Sequence, residues 1–208
     1  MFTREFECPS CGAPIERRFD QSKSLSCTHC GQTSHLVAGG LSMVGEKSLL
    51  IDYGSFFQLG QQLHLGDLTL QLLGRLRIDY EDGFWDEWFA QSLGDGSTWW
   101  IQEDDGTFTL FTKKADLDRS LSWEKFEVGS TVNITPLKEK VFITSKARAK
   151  VNGGEGELPF QIVPGEPADF VDGIYKGIVI SFELLPDEFA LYVGKSLSLE
   201  SLLETQNS

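Results

Sequence analysis

The sequence predicts an all-β protein that begins with a zinc ribbon. Three observations lead to this fold class: two Cys-x-x-Cys pairs near the N-terminus, apolar residues that alternate at a period of two from about residue 62, and Asp-Gly turn signals at short intervals. Alternation and turns of this kind indicate antiparallel strands joined by hairpins. We therefore expect a four-cysteine ribbon followed by an antiparallel β barrel or sandwich region, built from two repeated small β units.

The ribbon is predicted from the spacing of Cys8-Pro9-Ser10-Cys11 and Cys27-Thr28-His29-Cys30, which are separated by fifteen residues. Each pair can converge on one ion at about 2.3 Å, and four thiolates leave no open position for a catalytic water. A stretch this short buries little apolar surface, so the metal has to supply folding energy. We expect structural Zn²⁺ held by Cys8, Cys11, Cys27 and Cys30. A disulfide, a redox pair and a His29 ligand are less favoured alternatives.

The composition limits the classes of partner. The chain has 208 residues, 40% of them hydrophobic, and a formal net charge of −13. Such a charge repels phosphate backbones, and Arg17-Arg18 alone is a thin basis for binding nucleic acid. No apolar run approaches the ~18–20 residues of a membrane helix, and the first residues lack the pattern of a signal sequence. We expect a cytoplasmic protein without a transmembrane segment, whose partner is another protein rather than nucleic acid.

The predicted domains follow from the positions of linkers and turns. We place the ribbon at 1–36, a linker at 37–47, the first β unit at 48–122 and the second at 123–208, ending in a short helix. Strands are predicted at 68–80, 84–92, 97–102 and 107–112, with hairpin turns at Asp82-Gly83, Asp95-Gly96 and Asp105-Gly106. In the second unit, breaks are predicted at 152–154 and 172–173, and one strand at 174–183.

An internal echo predicts that the two β units repeat one another. The segment Phe57–Leu65 and the segment Phe126–Ile134 share one pattern: an aromatic residue, an apolar residue two places later, a glycine, and then alternating apolar residues. The distance between matching positions is 69 residues here and about 71 further on. Chance similarity between alternating strands is the competing interpretation. The coincidence of the glycine with the aromatic residue favours duplication and a pseudo-dimer.

A cluster of aromatic and acidic residues is the candidate partner-binding site. Side chains alternate along a strand, so Trp85 and Glu87 share one face while Asp86 and Trp88 share the other. Both faces are partly apolar, and we expect one to be covered by the second unit or by a partner. The competing interpretation is core packing of a small barrel. The glycine-rich segment 153–160 is interpreted as a structural turn or a contact site. The candidate residues are Trp85, Asp86, Glu87, Trp88, Trp99, Trp100, Glu155 and Glu157.

The chain also resembles a known bacterial family. The resemblance is carried by the two cysteine pairs together with Gly-Arg-Leu-Arg-Ile-Asp-Tyr (74–80), Trp-Asp-Glu-Trp (85–88) and Gly-Glu-Gly-Glu-Leu-Pro-Phe (154–160). These motifs are similar to those of domain-of-unknown-function family 4178, in its form with an N-terminal zinc ribbon. The resemblance runs from about Cys8 to Val193 and brings no established activity and no catalytic residues. It implies an accessory role near membrane-associated or stress-response proteins.

Three functional hypotheses remain open from the sequence. The leading one is a non-enzymatic protein-binding or assembly module with a structural zinc. The second is an enzyme that uses carboxylates near the Trp-Asp-Glu-Trp strand on a small cationic or sugar-like substrate; a second carboxylate in a shared pocket would favour it. The third is a ribbon that docks on nucleic acid through Arg17 and Arg18. No histidine lies in a hydrolase pattern, and we expect no catalytic residues.

Overall fold

The computed structural model describes residues 3–45, 47, 50–118, 121–185 and 189–206. It confirms the fold class: the described chain is almost entirely antiparallel β-structure. The strands are β1 (Arg4–Glu7), β2 (Pro14–Arg17), β3 (Ser24–Ser26), β4 (Thr33–Val37), β5 (Gly40–Met43), β6 (Gln62–Leu65), β7 (Leu68–Tyr80), β8 (Gly83–Ser92), β9 (Thr98–Asp104), β10 (Thr107–Asp116), β11 (Thr131–Ile134), β12 (Glu139–Ala147), β13 (Ala149–Leu158), β14 (Asp169–Tyr175), β15 (Ile178–Leu184) and β16 (Phe189–Leu197). The helix α1 covers Leu199–Gln206, and a single 3₁₀ turn covers Trp123–Lys125.

The body of the protein contains two meanders with the same strand order. The first meander pairs β6 through β10 in succession, and the second pairs β11, β12, β14, β15 and β16. Their entry turns carry matching hydrogen bonds: the amide of Gly60 donates to the carbonyl of Leu72, and the amide of Gly129 donates to the carbonyl of Ile143, both at 2.9 Å. A bulge follows Leu72 in the first meander and Ile143 in the second. The two segments of the predicted echo therefore begin with turns that have the same hydrogen bond.

Two further ladders join the meanders edge to edge. Strand β10 pairs with β16, with Thr112 opposite Val193, and β7 pairs with β13, with Asp79 opposite Lys150. Strand β12 pairs with β14, yet β13, separated from β12 by Arg148 alone, pairs with β7. The continuous chain from β12 to β13 thus links the second meander to β7 of the first. Side chains from both meanders meet in the space between them.

Three apolar clusters in the described part of the body follow from the alternation of side chains. The central cluster lies between the meanders and includes Trp85, Phe89, Trp100 and Tyr192. The first meander has a second cluster on its other face, around Phe57 and Trp88, which is covered in part by Leu202 of α1. The second meander has its own, around Phe126 and Phe182. Strands that are buried on both faces explain why the sequence shows both faces of β8 to be apolar.

Several predicted boundaries need correction. The predicted linker at 37–47 contains β5, which extends the ribbon because Ala38-Gly39 forms a turn rather than a flexible joint. The predicted breaks at 152–154 and 172–173 lie inside β13 and β14. The predicted single strand at 174–183 is interrupted by Lys176-Gly177, where both residues have positive φ, of 48° and 81°. The predicted limits at residues 1, 48 and 208 lie outside the described residues.

No helix in the described part of the chain is both long and apolar enough to cross a membrane.

Candidate functional site

The four cysteines form one compact cluster at the end of the ribbon. Their sulfur atoms all lie within 4.8 Å of one another. The Sγ atoms of Cys8 and Cys30 are 3.7 Å apart, and those of Cys11 and Cys27 are 3.8 Å apart. Four sulfurs placed tetrahedrally at about 2.3 Å from one ion are separated by about 3.8 Å. The cluster therefore has the dimensions of a four-thiolate metal site.

The backbone around the cluster explains this geometry. In each pair the glycine that follows donates its amide to the carbonyl of the first cysteine at 2.8 Å, as Gly12 does to Cys8 and Gly31 to Cys27. Both glycines have positive φ, which other residues adopt only with strain. The pKa of the Cys30 thiol is lowered to about 6, mainly because the backbone amide of Gln32 donates a hydrogen bond to it, whereas the pKa of Cys11 is raised to about 12 although a backbone hydrogen bond from Ala13 opposes the rise. The cluster is thus suited to a cation, and the exposed His29 is not part of it.

Glu157 holds the ribbon on the body. Its carboxylate accepts hydrogen bonds from the amide of Arg18 at 2.9 Å, the amide of Phe19 at 3.0 Å and the hydroxyl of Ser22 at 2.9 Å. It is only 6% exposed. This corrects its predicted place in a partner-binding surface, because its acceptor atoms are used within the chain. The ladder between β3 and β13 continues the same junction, with Glu157 opposite Leu25.

Glu155 and Gly156 lie beside the second cysteine pair. They line a cleft together with Cys27, His29 and Leu59. Burial raises the pKa of the Glu155 carboxyl above its usual value, although the positive charge of Arg75 opposes this. A Cβ on Gly156 would lie 2.3 Å from the carbonyl oxygen of Leu73. The glycine-rich segment is therefore a site of close backbone approach between β13 and β7 within the body.

The two faces of the Trp-Asp-Glu-Trp strand lie against two different apolar clusters, as the alternation of its side chains predicts. Asp86 is 4% exposed and accepts hydrogen bonds from the guanidinium groups of Arg75 and Arg77, the latter at 2.8 Å through Arg77 Nε. Trp88 is 2% exposed, and Arg75 lies 5.1 Å from the centre of its ring. Asp86 and Trp88 are therefore core residues, which corrects their predicted availability to a partner. Trp99 packs at the margin of the same first-meander cluster.

The other face of this strand opens into a cavity of about 610 Å³ between the meanders, which we call the central cavity. Aromatic rings from both meanders contribute to its wall. Trp85 contacts Phe170 edge to face with ring centres 4.8 Å apart, and Trp100 stacks on Phe160 at 5.9 Å. Exposed lining residues mark where the cavity reaches solvent: Gln21, Lys23, Thr98, Lys113 and Gln161.

Two carboxyl groups, Glu87 and Asp172, point into this aromatic cavity. Glu87 accepts a hydrogen bond from the indole of Trp85 at 2.9 Å, and Asp172 accepts one from the hydroxyl of Ser145 at 3.1 Å. Burial raises the pKa of Glu87 to about 7, and the negative charge of Asp172 adds to the shift. Burial also raises the pKa of Asp172 to about 6. Both carboxyl groups therefore have pKa values above the usual range of their residue types.

Asp172 was missed by the sequence analysis, which placed it in a predicted break. The register contains the signal that identifies it. Phe89 pairs across the bulge with Gly74, and Asp172 pairs across the corresponding bulge with Ser145. Asp172 thus occupies, in the second meander, the place that Phe89 occupies in the first. The echo between the meanders would have marked this position as facing inward.

The basic pair of the ribbon is engaged within the chain. Arg17 is 8% exposed and donates through Nε to the carbonyl of Phe19 at 3.0 Å. Arg18 is exposed and forms an ion pair with Glu16 at 2.8 Å. Neither side chain forms a basic surface of the kind that phosphate backbones require.

Comparison of the chain with protein-family models, with curated proteins and with solved structures finds no match. The resemblance to family 4178, drawn from the motifs, stays a prediction.

Proposed function

We propose that this protein is a non-enzymatic binding module that takes a small organic ligand into the central cavity and uses Zn²⁺ to order its ribbon. The main support for this proposal is the central cavity. Its volume of about 610 Å³ lies within the ~300–1,000 Å³ typical of small-molecule sites. Its wall combines aromatic rings with a few polar groups, which is the composition such sites share.

The proposed zinc rests on the chemistry of the four donors. Four thiolates in a tetrahedral arrangement favour Zn²⁺ over harder cations, and a site filled by four sulfurs serves structure rather than catalysis. Cys8 and Cys27, the first cysteine of each pair, are 3% and 2% exposed, whereas Cys11 is exposed and Cys30 is half-buried. Zinc content is measured on purified protein by mass spectrometry; four cysteines with one bound zinc are expected.

The binding hypothesis is tested with a neutral fluorescent probe, N-phenyl-1-naphthylamine, whose emission rises in apolar surroundings. Ser181 lines the cavity and is 9% exposed, so Ser181→Trp fills part of the space. Lys195→Trp adds the same indole at an exposed position of β16 and serves as the matched control. Saturable binding by the wild type and by Lys195→Trp, with at least a roughly tenfold loss in Ser181→Trp, supports the proposal. No binding by the wild type, or equal binding by all three proteins, refutes it.

A second candidate function is acid–base catalysis, favoured by the presence of Glu87 and Asp172 in one cavity. Carboxyl groups with raised pKa values in a shared pocket are the usual acid and base of glycoside hydrolysis. A panel of 4-nitrophenyl glycosides tests it. Turnover that disappears in both Glu87→Gln and Asp172→Asn supports catalysis. Absence of turnover by the wild type counts against it and leaves the binding module as the proposal.

We further propose a cytoplasmic location, since free thiols suit a reducing compartment. We also propose that the protein binds another protein in an accessory role and that Trp99 contributes to the docking surface. These proposals do not depend on the cavity. Affinity capture of the native protein under conditions that keep zinc bound tests them. A stoichiometric partner supports them, and its absence opposes them.

A further inference from the structure

We propose that the ligand of the central cavity is a small organic cation, whose charged nitrogen lies against Glu87 and Asp172 while its apolar part lies against the aromatic rings. This inference rests on the proposed function, because it names the chemistry of the same ligand. It is carried by the distribution of charge and aromatic surface around the cavity.

The first step is the separation of charge within the cavity. Five carboxyl groups and two ammonium groups line it. The two lysines, Lys23 and Lys113, are both exposed and belong to the part that meets solvent. Asp169, by contrast with Glu87 and Asp172, forms an ion pair with Arg148 outside the cavity lining. Among the described lining residues carboxyl groups therefore outnumber ammonium groups, and the ammonium groups lie where the cavity meets solvent.

The second step is the nature of the neighbouring surface. The aromatic side chains of Trp85, Trp100 and Tyr192 line the same space as the two carboxyl groups. Aromatic faces attract cations, and cavities built from aromatic rings and acids recognise quaternary ammonium groups. An anion would meet negative charge here, and a purely apolar ligand would desolvate both carboxyl groups without offering them a positive charge.

The third step concerns entry. The chain carries a formal net charge of −13, which raises the local concentration of cations and disfavours anions at the surface. Burial of Glu87 and Asp172 disfavours their ionised forms, and a bound cation would offset that cost. The charge of the whole chain and that of the cavity thus favour the same class of ligand.

The test compares benzyltrimethylammonium with neopentylbenzene, its neutral isostere, as competitors of N-phenyl-1-naphthylamine. The quaternary nitrogen keeps its charge at every pH, so only the protein titrates. Measurements at pH 8 keep both carboxyl groups mainly ionised. We expect the cation to bind at least about tenfold more tightly than the isostere, since a cation–π contact and a nearby carboxylate each favour it.

The variants separate this inference from the proposed function. In the double variant Glu87→Gln, Asp172→Asn, the preference for the cation is expected to fall to about twofold or less, while affinity for neopentylbenzene stays within about threefold. The control Glu139→Gln removes an exposed carboxylate of β12 that pairs with Lys176, and it should retain the preference. If both ligands bind the wild type equally, the cation inference is refuted and the proposed function stands. If neither they nor the dye bind, both are refuted.

Discussion

Replacing Glu157 with glutamine is expected to loosen the junction between the ribbon and the body. The change keeps the shape of the side chain but removes its charge and turns one acceptor oxygen into a donor. Three donors converge on the carboxylate, from Arg18, Phe19 and Ser22. The remaining oxygen of glutamine can still accept from these donors, since Phe19 and Ser22 donate to one carboxylate oxygen and the Arg18 amide contacts both, but as a weaker, neutral acceptor.

The magnitude follows from the number and burial of these hydrogen bonds. A hydrogen bond to a charged group contributes about 1.5–3 kcal/mol, against about 0.5–1.5 kcal/mol for one between neutral groups. Weakening three such hydrogen bonds by about 1 kcal/mol each therefore costs about 3 kcal/mol in the free energy of opening the junction. That corresponds to roughly a hundredfold rise in the population of the open junction.

Amide hydrogen exchange of Arg18 and Phe19 measures this opening directly, with zinc present throughout. Glu16→Gln is the matched control, because it removes an exposed carboxylate of the same ribbon that pairs with Arg18. An exposed pair contributes about 0.2–1 kcal/mol, so exchange in the control should rise by no more than about fivefold. Equal exchange in the two variants, or protection of both amides at the wild-type level in Glu157→Gln, would show that the carboxylate does not hold the junction.

Three further predictions concern the metal, the cavity and the glycine-rich segment. Removing zinc with a chelator, or the substitution Cys27→Ser, is expected to abolish the protection of β3 amides from hydrogen exchange and to reduce it in the paired strand β13. Most of the β signal in circular dichroism should remain. Thr28→Ser is the control, and unchanged protection of β3 would oppose a structural metal. The folded-state pKa of Glu87, about 7, exceeds the usual 4.5, so the stability of the wild type falls as pH rises between these two values. Glu87→Gln is therefore expected to leave the free energy of unfolding unchanged near pH 4, where the carboxyl is mainly protonated in both states, and to raise it by about 3 kcal/mol above pH 7. Parallel pH profiles of the two proteins would refute this. Gly156→Ala is expected to destabilise the protein by several kcal/mol more than Gly165→Ala. Both glycines have positive φ, but only at Gly156 would a Cβ atom collide with backbone atoms. Equal denaturation midpoints of the two variants would contradict this prediction.

The first meander could be predicted closely because its signals are local. Strand β7 covers Leu68–Tyr80, as the alternation predicts, and Asp105-Gly106 forms the predicted turn with φ of 42° and 76°. The turn at Lys176-Gly177 was missed because lysine is uncommon at positive φ, so only the glycine signals it. The cysteine cluster was predicted in full, because metal-ligand spacing is itself a local property of the chain.

The residues that were misplaced depend on contacts far apart in the sequence. Glu157 is an ordinary exposed acid by composition, and only its position opposite residues 18–22, about 135 positions earlier, makes it an internal anchor. Asp172 was assigned to a break because Asp-Gly usually marks one, but Gly173 lies in a strand where a Cβ would be 2.6 Å from the carbonyl oxygen of Phe142. At that position close packing of neighbouring strands overrides the local preference of Asp-Gly for a turn.

The ribbon and the cavity are parts of one structure rather than a head and a separate body. Phe19 of the ribbon lies in the central cluster, with its ring centre 5.2 Å from that of Phe89. Gln21 and Lys23, from the same loop, line the mouth of the cavity. The loop lies between β2 and β3 of the ribbon. Binding of the proposed zinc to the cysteine cluster would therefore stabilise a wall of the cavity as well as the ribbon itself. This arrangement explains why a side chain as costly to bury as Glu157 occurs at the junction: its three donors fix the one loop through which the ribbon reaches the central cavity.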